Sequence, residues 1–422
     1  MRCECNNGQI VEFGVFANPP KNLGSVHFGQ RNIEDDHFRL FLFEALYRFH
    51  STGVFQDFVL ILQDRANNEA IVGIVVHNGN RVHAKSMITR QKLQEADMAQ
   101  FGYSLSSEEF GPKDLVRFAQ RAERARFSFA LISDHYHPWT RKQGQSPFVW
   151  SVIGAIAATT SKLRLGTGVT CPLLRIHPSI IAQAAATASA MMPGRFFLGL
   201  GAGENLNEHV TGERWPSAVE RKEMLEEAIT VIRLLWKGGN KSHRGQYFTV
   251  QNACIFTLPQ RLPDIYVAAG GEKMAELAAR CSDGLITAGD EKVVIKKFNA
   301  AGGRRKPKYS QLTVCWAKSE KEAVRIAHEQ WPISAFAWPL LSELALPRYF
   351  EEAAASVTED QIAETIVCGP NPQKHLDKIE EAVNNGADHV YVHQVGKDQE
   401  GFFRFYESEV LPELGVKPAR AA

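Results

Sequence analysis

The sequence predicts a (β/α)8 barrel with insertions, preceded by an N-terminal extension. The 422 residues are 44% hydrophobic and 23% charged, as in an ordinary globular protein. Beyond Met98, short apolar or β-branched runs alternate with longer helical patterns, which is typical of a parallel sheet covered by helices. This alternation occurs eight times, over a stretch longer than the ~250 residues typical of the barrel. A doubly wound sheet is the competing architecture, and the eightfold repeat favours the barrel.

Each predicted element follows from the spacing of its apolar residues. The predicted strands are Phe101–Ser104, Ser128–Ser133, Leu163–Thr170, Arg195–Gly201, Ile265–Ala269, Gly284–Ala288, Leu312–Ala317 and His389–Val395. The predicted helices are Lys113–Arg124, Phe148–Thr160, Ser179–Met191, Ser217–Trp236, Lys273–Cys281, Glu320–Glu329, Asp377–Asn384 and Phe402–Glu409. The first helix places Leu115, Phe118 and Ala122 on one face, and the third ends at Pro193-Gly194.

Two insertions and an extension account for the extra length. Lys241–Leu258 contains Gly245, followed by the alternating residues Tyr247 and Thr249. This pattern predicts a small hairpin. Three prolines interrupt regular structure between Trp331 and Val357. We therefore divide the chain into an extension, residues 1–97, and a barrel domain, residues 98–422.

Residues 1–97 predict little about function. Phe58–Leu62 and Ala70–Val76 are predicted strands, and Phe38–Phe49 is a predicted short helix. These elements fit a small α+β appendage. They fit equally well a segment translated upstream of a true start at Met98, because the first barrel strand begins three residues later. We assign this segment no function.

Charge and cysteine content exclude several classes of protein. The 48 basic and 47 acidic residues nearly cancel, so the total charge indicates neither a nucleic-acid partner nor a membrane surface. The sequence has no apolar run of about 18 residues, and residues 1–30 lack the pattern of a secretion signal. The seven cysteines are scattered, and Cys3 and Cys5 have no second pair to complete a zinc site. Reduced thiols in a cytoplasmic protein are expected.

Polar and glycine-rich segments follow four of the predicted strands, where active groups of a barrel gather. They are Ser133–Trp139, Gly166–Pro172, Gly199–Glu208 and Ala268–Gly271. Each has a structural explanation: Asp134 can cap a loop, and Gly270-Gly271 can form a tight turn. The turn can also expose backbone N–H groups at a helix N-terminus to an anion.

Two familiar kinds of site, a dinucleotide-binding loop and a metal site, are not predicted. Gly199-x-Gly201-x-Gly203 is similar to a dinucleotide-binding loop, but Glu204 occupies the place of the third glycine. His135 and His137 have no third ligand at a useful spacing, so no metal site is predicted.

Taken together, these segments resemble the luciferase-like barrel oxidoreductases. Within that superfamily, the Asp-His-x-x-Pro-Trp run and the Gly-x-Gly-Glu-x-x-Asn-Glu run most resemble the group around coenzyme F420-dependent glucose-6-phosphate dehydrogenase. The resemblance covers residues 98–416 and none of residues 1–97. It implies hydride transfer to C5 of a 5-deazaflavin by a homodimeric enzyme.

The resemblance also implies roles for individual residues. His135 would take the hydroxyl proton as the alcohol is oxidised, which suits an imidazole at neutral pH. Trp139 would lie against the reacting centre, and Glu204 would handle the proton at N1 of the cofactor. Gly168-Val169 matches the position of a non-proline cis peptide that supports the ring. Cofactor contacts carried over by position fall on Asp134, Val169, Cys171, Ala202, Gly203, Asn207, Gly270, Gly271, Lys273 and Met274. A threonine occupies the position of Cys171 in the best-known member.

The residues that hold the sugar phosphate in this group are replaced here. An ungapped match places Ala288 at a threonine and Glu291 at a lysine, and a one-residue shift places Thr287 and Asp290 there. The position of an arginine falls on or near Thr365. An acid in place of a lysine repels a phosphate. We therefore expect a neutral alcohol, carbonyl or enone rather than glucose 6-phosphate.

Three other functions stay open at the level of sequence. One is an FMN-dependent monooxygenase of the same superfamily. A second is a glycoside hydrolase on the same barrel, with Asp134 and Glu204 as its carboxylate pair, which requires the two carboxyls about 5–10 Å apart around an open cleft. A third is a protein that binds the cofactor without catalysis.

Overall fold

The computed structural model describes residues 99–287 and 291–416, and four strands within residues 1–98. Residues 1–98 and residues 99–422 form two compact units. The first unit contains an antiparallel sheet in the order β1-β2-β3-β4, with strands β1 Phe13–Ala17, β2 Asp57–Asp64, β3 Glu69–His77 and β4 Asn80–Val82. Both predicted strands of this region are confirmed. The predicted helix Phe38–Phe49 lies outside the described residues.

The second unit contains a closed barrel of eight parallel strands, as predicted. Seven pairings between neighbouring strands run around the sheet, from the strand Gly284–Thr287 to the strand Lys308–Cys315. A pairing between these two strands closes the barrel. The barrel strands are β5 Gln100–Leu105, β6 Phe129–Ile132, β7 Arg164–Thr167, β8 Phe196–Leu200, β11 Ile265–Ala269, β12 Gly284–Thr287, β13 Lys308–Cys315 and β15 His389–Gln394. Ala288, the predicted end of the sixth barrel strand, lies outside the described residues.

Helices cover the outside of the barrel. Residues on one face of the first barrel helix, Leu115, Phe118, Ala119 and Ala122, are buried, as their spacing predicts. The helices are α1 Pro112–Arg124, α2 Val149–Thr159, α3 Pro178–Met191, α4 Asn205–Glu208, α5 Ala218–Leu235, α6 Glu272–Cys281, α7 Glu291–Phe298, α8 Glu320–Gln330, α9 Trp338–Glu343, α10 Pro347–Ala354, α11 Glu359–Thr365, α12 Pro372–Asn384 and α13 Gln399–Phe405.

Aromatic side chains fill the interior of the barrel. Five rings from different strands form one buried cluster, which consists of Phe129, Phe197, Tyr266, Tyr309 and Tyr391 together with Leu131 and Ile286. Glycines on neighbouring strands make room for them: a Cβ at Gly166 would lie 1.9 Å from the Phe197 ring, and one at Gly102 would lie 2.3 Å from Phe129. This packed layer closes the barrel below the carboxyl ends of its strands and forms the floor on which a site can be built.

Several element boundaries differ from the prediction, and two of these differences have a clear physical cause. Strand β13 begins at Lys308 rather than Leu312, because the Lys308 ammonium is buried against Asp388 and backbone carbonyls. The first residues of β13 are therefore buried although their polar side chains do not indicate a buried strand. Helix α12 begins at Pro372 rather than Asp377, because Asn371 accepts a hydrogen bond from the Gln373 N–H and caps the helix.

The two insertions have different structures. The predicted hairpin is confirmed as an antiparallel pair, β9 Lys241–Arg244 and β10 Thr249–Ala253. The second insertion does not lack regular structure: it forms a 3₁₀ turn, Pro332–Ala335, and the short helices α9 and α10. Each of its prolines stands in a first helical turn, where a missing N–H costs nothing.

Within the described ranges, none of the helices combines the length and the hydropathy that a membrane crossing requires.

We predict that the aromatic layer dominates the stability of the barrel. Phe129 is fully buried, with ring centroids 5.0 Å from Tyr309 and 6.5 Å from Tyr391. Phe129→Ala should lower the free energy of unfolding by about 3–5 kcal/mol in urea denaturation. As the matched control, Phe256→Ala removes a ring that is 93% exposed and should change it by less than about 0.5 kcal/mol. Equal losses in the two variants would contradict the prediction.

Candidate active site

A cavity of about 750 Å³ lies at the carboxyl ends of the barrel strands. Barrel enzymes build their sites there from loops that differ between families, while the strands below keep the fold. Residues that end or follow successive strands line this cavity: Glu108, His135, Val169, Glu204, Gly271, Thr287, Thr313 and His393.

The structure brings most of the predicted site residues together in this cavity. Those that line it are His135, Trp139, Val169, Ala202, Gly203, Glu204, Gly270, Gly271 and Met274. Four others do not line it. Asp134, Cys171 and Asn207 are buried beneath the loops that carry the lining residues, and Lys273 is exposed.

A buried carboxylate holds the imidazole of His135. The Glu108 Oε1 atom lies 3.3 Å from His135 Nε2, and both side chains are less than a tenth exposed. Burial opposes the charge on Glu108, but His135 and the hydroxyl of Ser133 outweigh it, so the pKa of this carboxyl is lowered. Trp139 packs against the same imidazole, with ring centroids 5.0 Å apart. The pair therefore presents an oriented imidazole beside an indole.

The side-chain amide of Asn207 connects two of the loops. Its Nδ2 lies 3.1 Å from Glu204 Oε2 and 3.2 Å from His135 Nδ1. Its Oδ1 accepts hydrogen bonds from the backbone N–H groups of Tyr136 and His137. One buried amide therefore sets the positions of His135 and Glu204 relative to each other, and both face the same cavity.

Beneath the loops lies a cluster of buried charges. Arg175 contacts Asp134 Oδ1 at 2.8 Å and Glu208 Oε1 at 3.5 Å, and Thr170 donates to the other oxygen of Asp134. Burial raises the pKa of the Glu208 carboxyl, although Arg175 opposes that shift. Because Asp134 is committed to this cluster and absent from the cavity wall, it cannot pair with Glu204 across a cleft. The glycoside hydrolase alternative is therefore wrong.

The glycine-rich loop after β8 lies directly against its neighbours. Gly203 has φ +74°, and a Cβ there would lie 2.5 Å from Cys171 Sγ. Burial raises the pKa of the Cys171 thiol well above its usual value, so the thiol is neutral. A Cβ on Gly201 would lie 2.5 Å from the Val169 side chain, and a cis peptide joins Gly168 to Val169, as expected. These contacts leave one flat face of the cavity lined largely by backbone.

The opposite edge of the cavity ends at a helix N-terminus. Gly271 is the N-cap of α6 and supplies no side-chain cap, and a Cβ there would meet nothing within 4 Å. The first amides of α6 are thus available to an anion. Lys273 lies in this first turn and is exposed.

The second insertion forms an apolar wall on the remaining side. Six apolar residues of this insertion line the cavity: Trp331, Ile333, Phe336, Trp338, Pro339 and Leu341.

Among the described lining residues, Arg221 is the one lysine or arginine, and its guanidinium donates to Glu343 and to the carbonyl of Pro216. The charge of this cation is therefore already compensated.

Comparison with known proteins assigns the chain to a family. The family model described as luciferase-like monooxygenase matches residues 95–389. The chain belongs to this family. The glucose-6-phosphate dehydrogenase of Microbacterium testaceum, described as F420-dependent, is 34% identical over 326 residues, which are 74% of this chain and 97% of the relative. The corresponding enzyme of Mycobacterium tuberculosis, strain H37Rv, is 33% identical with the same coverage.

A solved structure extends the likeness to the arrangement in space. The F420-dependent secondary alcohol dehydrogenase, in complex with an F420–acetone adduct, superposes with a TM-score of 0.70 and 30% identity. The match covers 76% of this luciferase-like chain and 99% of that one. The F420-dependent tetrahydromethanopterin reductase of Methanopyrus kandleri shares the fold, with a TM-score of 0.61, 23% identity and coverage of 75% and 99%.

Sequence reasoning missed several polar residues of the cavity and its support. Glu108 follows the first barrel strand and could have been found by the rule that active groups follow strand ends. His393 is the second-last residue of the last barrel strand and could have been found in the same way. Arg175 and Glu343 leave no such signal, because each matters only through a distant partner.

We predict that the stability contributed by Glu108 depends on pH. Because the folded pKa of this carboxyl is lowered, its contribution is complete above the ordinary value of 4.5 and is lost as the pH falls through the folded value. Glu108→Gln should reduce the free energy of unfolding by about 1–3 kcal/mol at pH 7. In urea titrations, the gap to the wild type should narrow as the pH falls below about 4.5.

The exposed Glu364 provides the matched control. Glu364→Gln should leave the free energy of unfolding within about 0.5 kcal/mol of the wild type at each pH. A gap for Glu108→Gln that stays constant or widens on acidification would contradict the prediction.

Proposed function

We propose that this chain is a coenzyme F420-dependent oxidoreductase that transfers a hydride between the deazaflavin and a neutral alcohol or carbonyl compound. The observation that carries the proposal is the Asn207 amide, which holds His135 and Glu204 on one cavity. The F420-dependent relatives and the F420–acetone complex of the alcohol dehydrogenase support it. We assign this activity to residues 98–422 and assign none to residues 1–97.

The cavity suits a flat ring with an anionic tail. Gly168, Val169, Gly201, Ala202 and Gly203 would carry the ring, because their wall is backbone-lined and side chains there collide with Val169 or Cys171. The uncapped amides of α6 with Gly270, Gly271, Lys273 and Met274 would meet the tail. When bound, F420 accepts or donates a hydride at C5.

His135 is the proton acceptor for the substrate hydroxyl in this proposal. Oxidation of an alcohol releases a hydride and a proton, so a base must take the proton as the hydride leaves. The imidazole lines the cavity, and Glu108 stabilises the positive charge that it gains. Trp139 excludes water from the imidazole and lies between it and Phe350.

Glu204 serves the cofactor side. Its carboxyl lines the cavity, and Asn207 donates to Oε2. A carboxyl held there can supply or hold a proton where negative charge develops on the pyrimidine edge of the ring. Cys171 and Asp134 act from beneath the wall, through packing against Gly203 and through the contact with Arg175.

The charge of the cavity favours a neutral substrate. A sugar phosphate needs uncompensated cations, and the cationic side chain among the described lining residues is already paired with Glu343. Glu291 and Thr365 also line the cavity. Their positions match phosphate-binding residues of the glucose-6-phosphate dehydrogenases that this sequence resembles. Ala288 and Asp290 lie outside the described residues. The insertion adds an apolar wall that suits a hydrocarbon part of the substrate.

We infer that the enzyme is a homodimer of the cytoplasm without a nucleic-acid partner. The resemblance to dimeric enzymes supports the first point. The described cysteines are all free thiols, which supports a reducing compartment. The near balance of basic and acidic residues supports the absence of a nucleic-acid partner.

We predict that F420 binds and is reduced by alcohols through His135 and Glu204. Adding F420 to the protein should quench its fluorescence, and a panel of neutral alcohols should bleach its visible absorbance. His135→Asn and Glu204→Gln should each lower kcat by about 10²–10⁴-fold, because each removes a proton-transfer group. His243→Asn changes a histidine outside the cavity, on the β9–β10 hairpin, and should stay within about twofold of the wild type.

Three results would overturn the proposal. The first is a full rate in both cavity variants. The second is quenching by FMN with no quenching by F420, together with oxygen consumption in the presence of reduced FMN, which would assign the FMN-dependent monooxygenase function instead. The third is binding of F420 without hydride transfer from any alcohol, which would identify a non-catalytic binding protein.

We predict that glucose 6-phosphate is a poor substrate and that introducing cationic side chains into the cavity raises its kcat/KM. Its kcat/KM should be at least about 100-fold below that of the best neutral alcohol, because the described lining of the cavity offers the phosphate no uncompensated cationic side chain. The double variant Glu291→Lys, Thr365→Arg should raise kcat/KM for glucose 6-phosphate by about tenfold or more. The uncharged double variant Glu291→Gln, Thr365→Gln is the control. Efficient turnover of glucose 6-phosphate by the wild type would contradict the neutral-substrate assignment.

A further inference from the structure

A second imidazole–carboxylate pair faces the same cavity and has no part in the function proposed above. His393 is the second-last residue of strand β15, lines the cavity and is 3% exposed. Its Nε2 lies 3.1 Å from Glu109 Oε2, and the Glu109 side chain is 4% exposed. The other oxygen of Glu109 accepts a hydrogen bond from the Gly396 N–H. Consecutive glutamates after the first barrel strand therefore hold two different histidines of one cavity.

The remaining nitrogen of His393 is unpaired. Nδ1 is buried and makes no hydrogen bond in the structure. An unpaired buried polar atom destabilises the folded state, so one on the wall of a cavity indicates a ligand.

We propose that His393, held by Glu109, binds a second oxygen of the substrate, so that the enzyme oxidises neutral diols to hydroxy ketones in preference to oxidising simple alcohols. The proposal rests on the function proposed above and names the class of its substrate. The reacting oxygen meets His135, and the second oxygen meets Nδ1 of His393. The Trp331 ring packs edge-on against His393, with centroids 4.5 Å apart, and borders the position proposed for that oxygen.

The environment of Glu109 determines which hydrogen bond His393 can make. Glu109 as a carboxylate accepts at both oxygens, so Nε2 of His393 carries the proton and donates. In its neutral form, His393 then has a lone pair at Nδ1 and accepts a hydrogen bond from a substrate hydroxyl. The wild-type enzyme should therefore prefer a diol to a hydroxy ketone of the same spacing.

Steady-state kinetics test the preference. The probes are cyclohexanol and the 1,2-, 1,3- and 1,4-cyclohexanediols, with F420 in excess. At least one diol should exceed cyclohexanol in kcat/KM by about tenfold or more, the effect of one good hydrogen bond. His393→Gln should remove most of that advantage. His243→Gln, the same change at a histidine of the β9–β10 hairpin outside the cavity, should keep it. Equal kcat/KM values for cyclohexanol and every diol in the wild type, or an advantage that persists in His393→Gln, would overturn the proposal.

Glu109→Gln separates a binding role from a merely structural one. The Gly396 N–H still requires an acceptor, so the new amide keeps its oxygen there and turns its NH₂ group toward His393. Nε2 then accepts, the proton moves to Nδ1, and Nδ1 donates. The ratio of kcat/KM for the diol over the matching hydroxy ketone should fall by about fivefold or more. A variant that lowers both values equally would contradict the tautomer argument and the proposal with it.

A measurement without cofactor distinguishes this proposal from the wider function. In protein labelled with ¹⁵N-histidine, the Nδ1 resonance of His393, assigned by its loss in His393→Gln, should shift when the preferred diol is added. Cyclohexanol should not shift it. A shift without any F420 turnover would overturn the oxidoreductase function and leave the binding site supported. Turnover of alcohols with no shift for any diol would overturn this proposal alone.

Discussion

The arrangement of the site depends on one buried side-chain amide. Asn207 contacts the carboxyl of Glu204, the imidazole of His135 and two backbone N–H groups of the loop after β6. An amide suits this position because it both donates and accepts, whereas a carboxylate could only accept. Two loops that follow different strands are thereby held in register. The distance between the two proton-handling groups is then set by covalent geometry and a few short hydrogen bonds.

The two loops that Asn207 connects are also held together by buried ion pairs beneath the cavity. Arg175 lies between the carboxylates of Asp134 and Glu208, which belong to the same two loops that Asn207 connects. Removing one member would leave buried charge uncompensated, which is far more costly than loss of a surface ion pair. The aromatic layer of the barrel lies beneath the cavity and prevents collapse into the interior. The cavity is therefore held open by a rigid floor, a charged underside and a shared amide.

Each carboxylate that follows the first strand orients a different imidazole. Glu108 holds His135 at the centre of the proposed chemistry, and Glu109 holds His393 at a second position on the cavity wall. The two glutamates lie in the turn that follows β5, and from there they reach two separate partners. The apolar insertion surrounds both, and it lowers the local dielectric in which these pairs act. Substrate choice and proton transfer can thus be served by separate pairs on one scaffold.

The sequence by itself determined the barrel, its eight strands, the hairpin and the loops that carry His135, Trp139 and Glu204, because apolar periodicity and strand-end position are local properties of the chain. It could not determine the start of β13 or the short helices of the second insertion, where buried polar groups and capping contacts decide. Tertiary structure alone decided that Asp134 pairs with Arg175 beneath the cavity, and that Glu108 and Glu109 reach His135 and His393. Such contacts join residues far apart in the chain, and their energies depend on burial that no local pattern records.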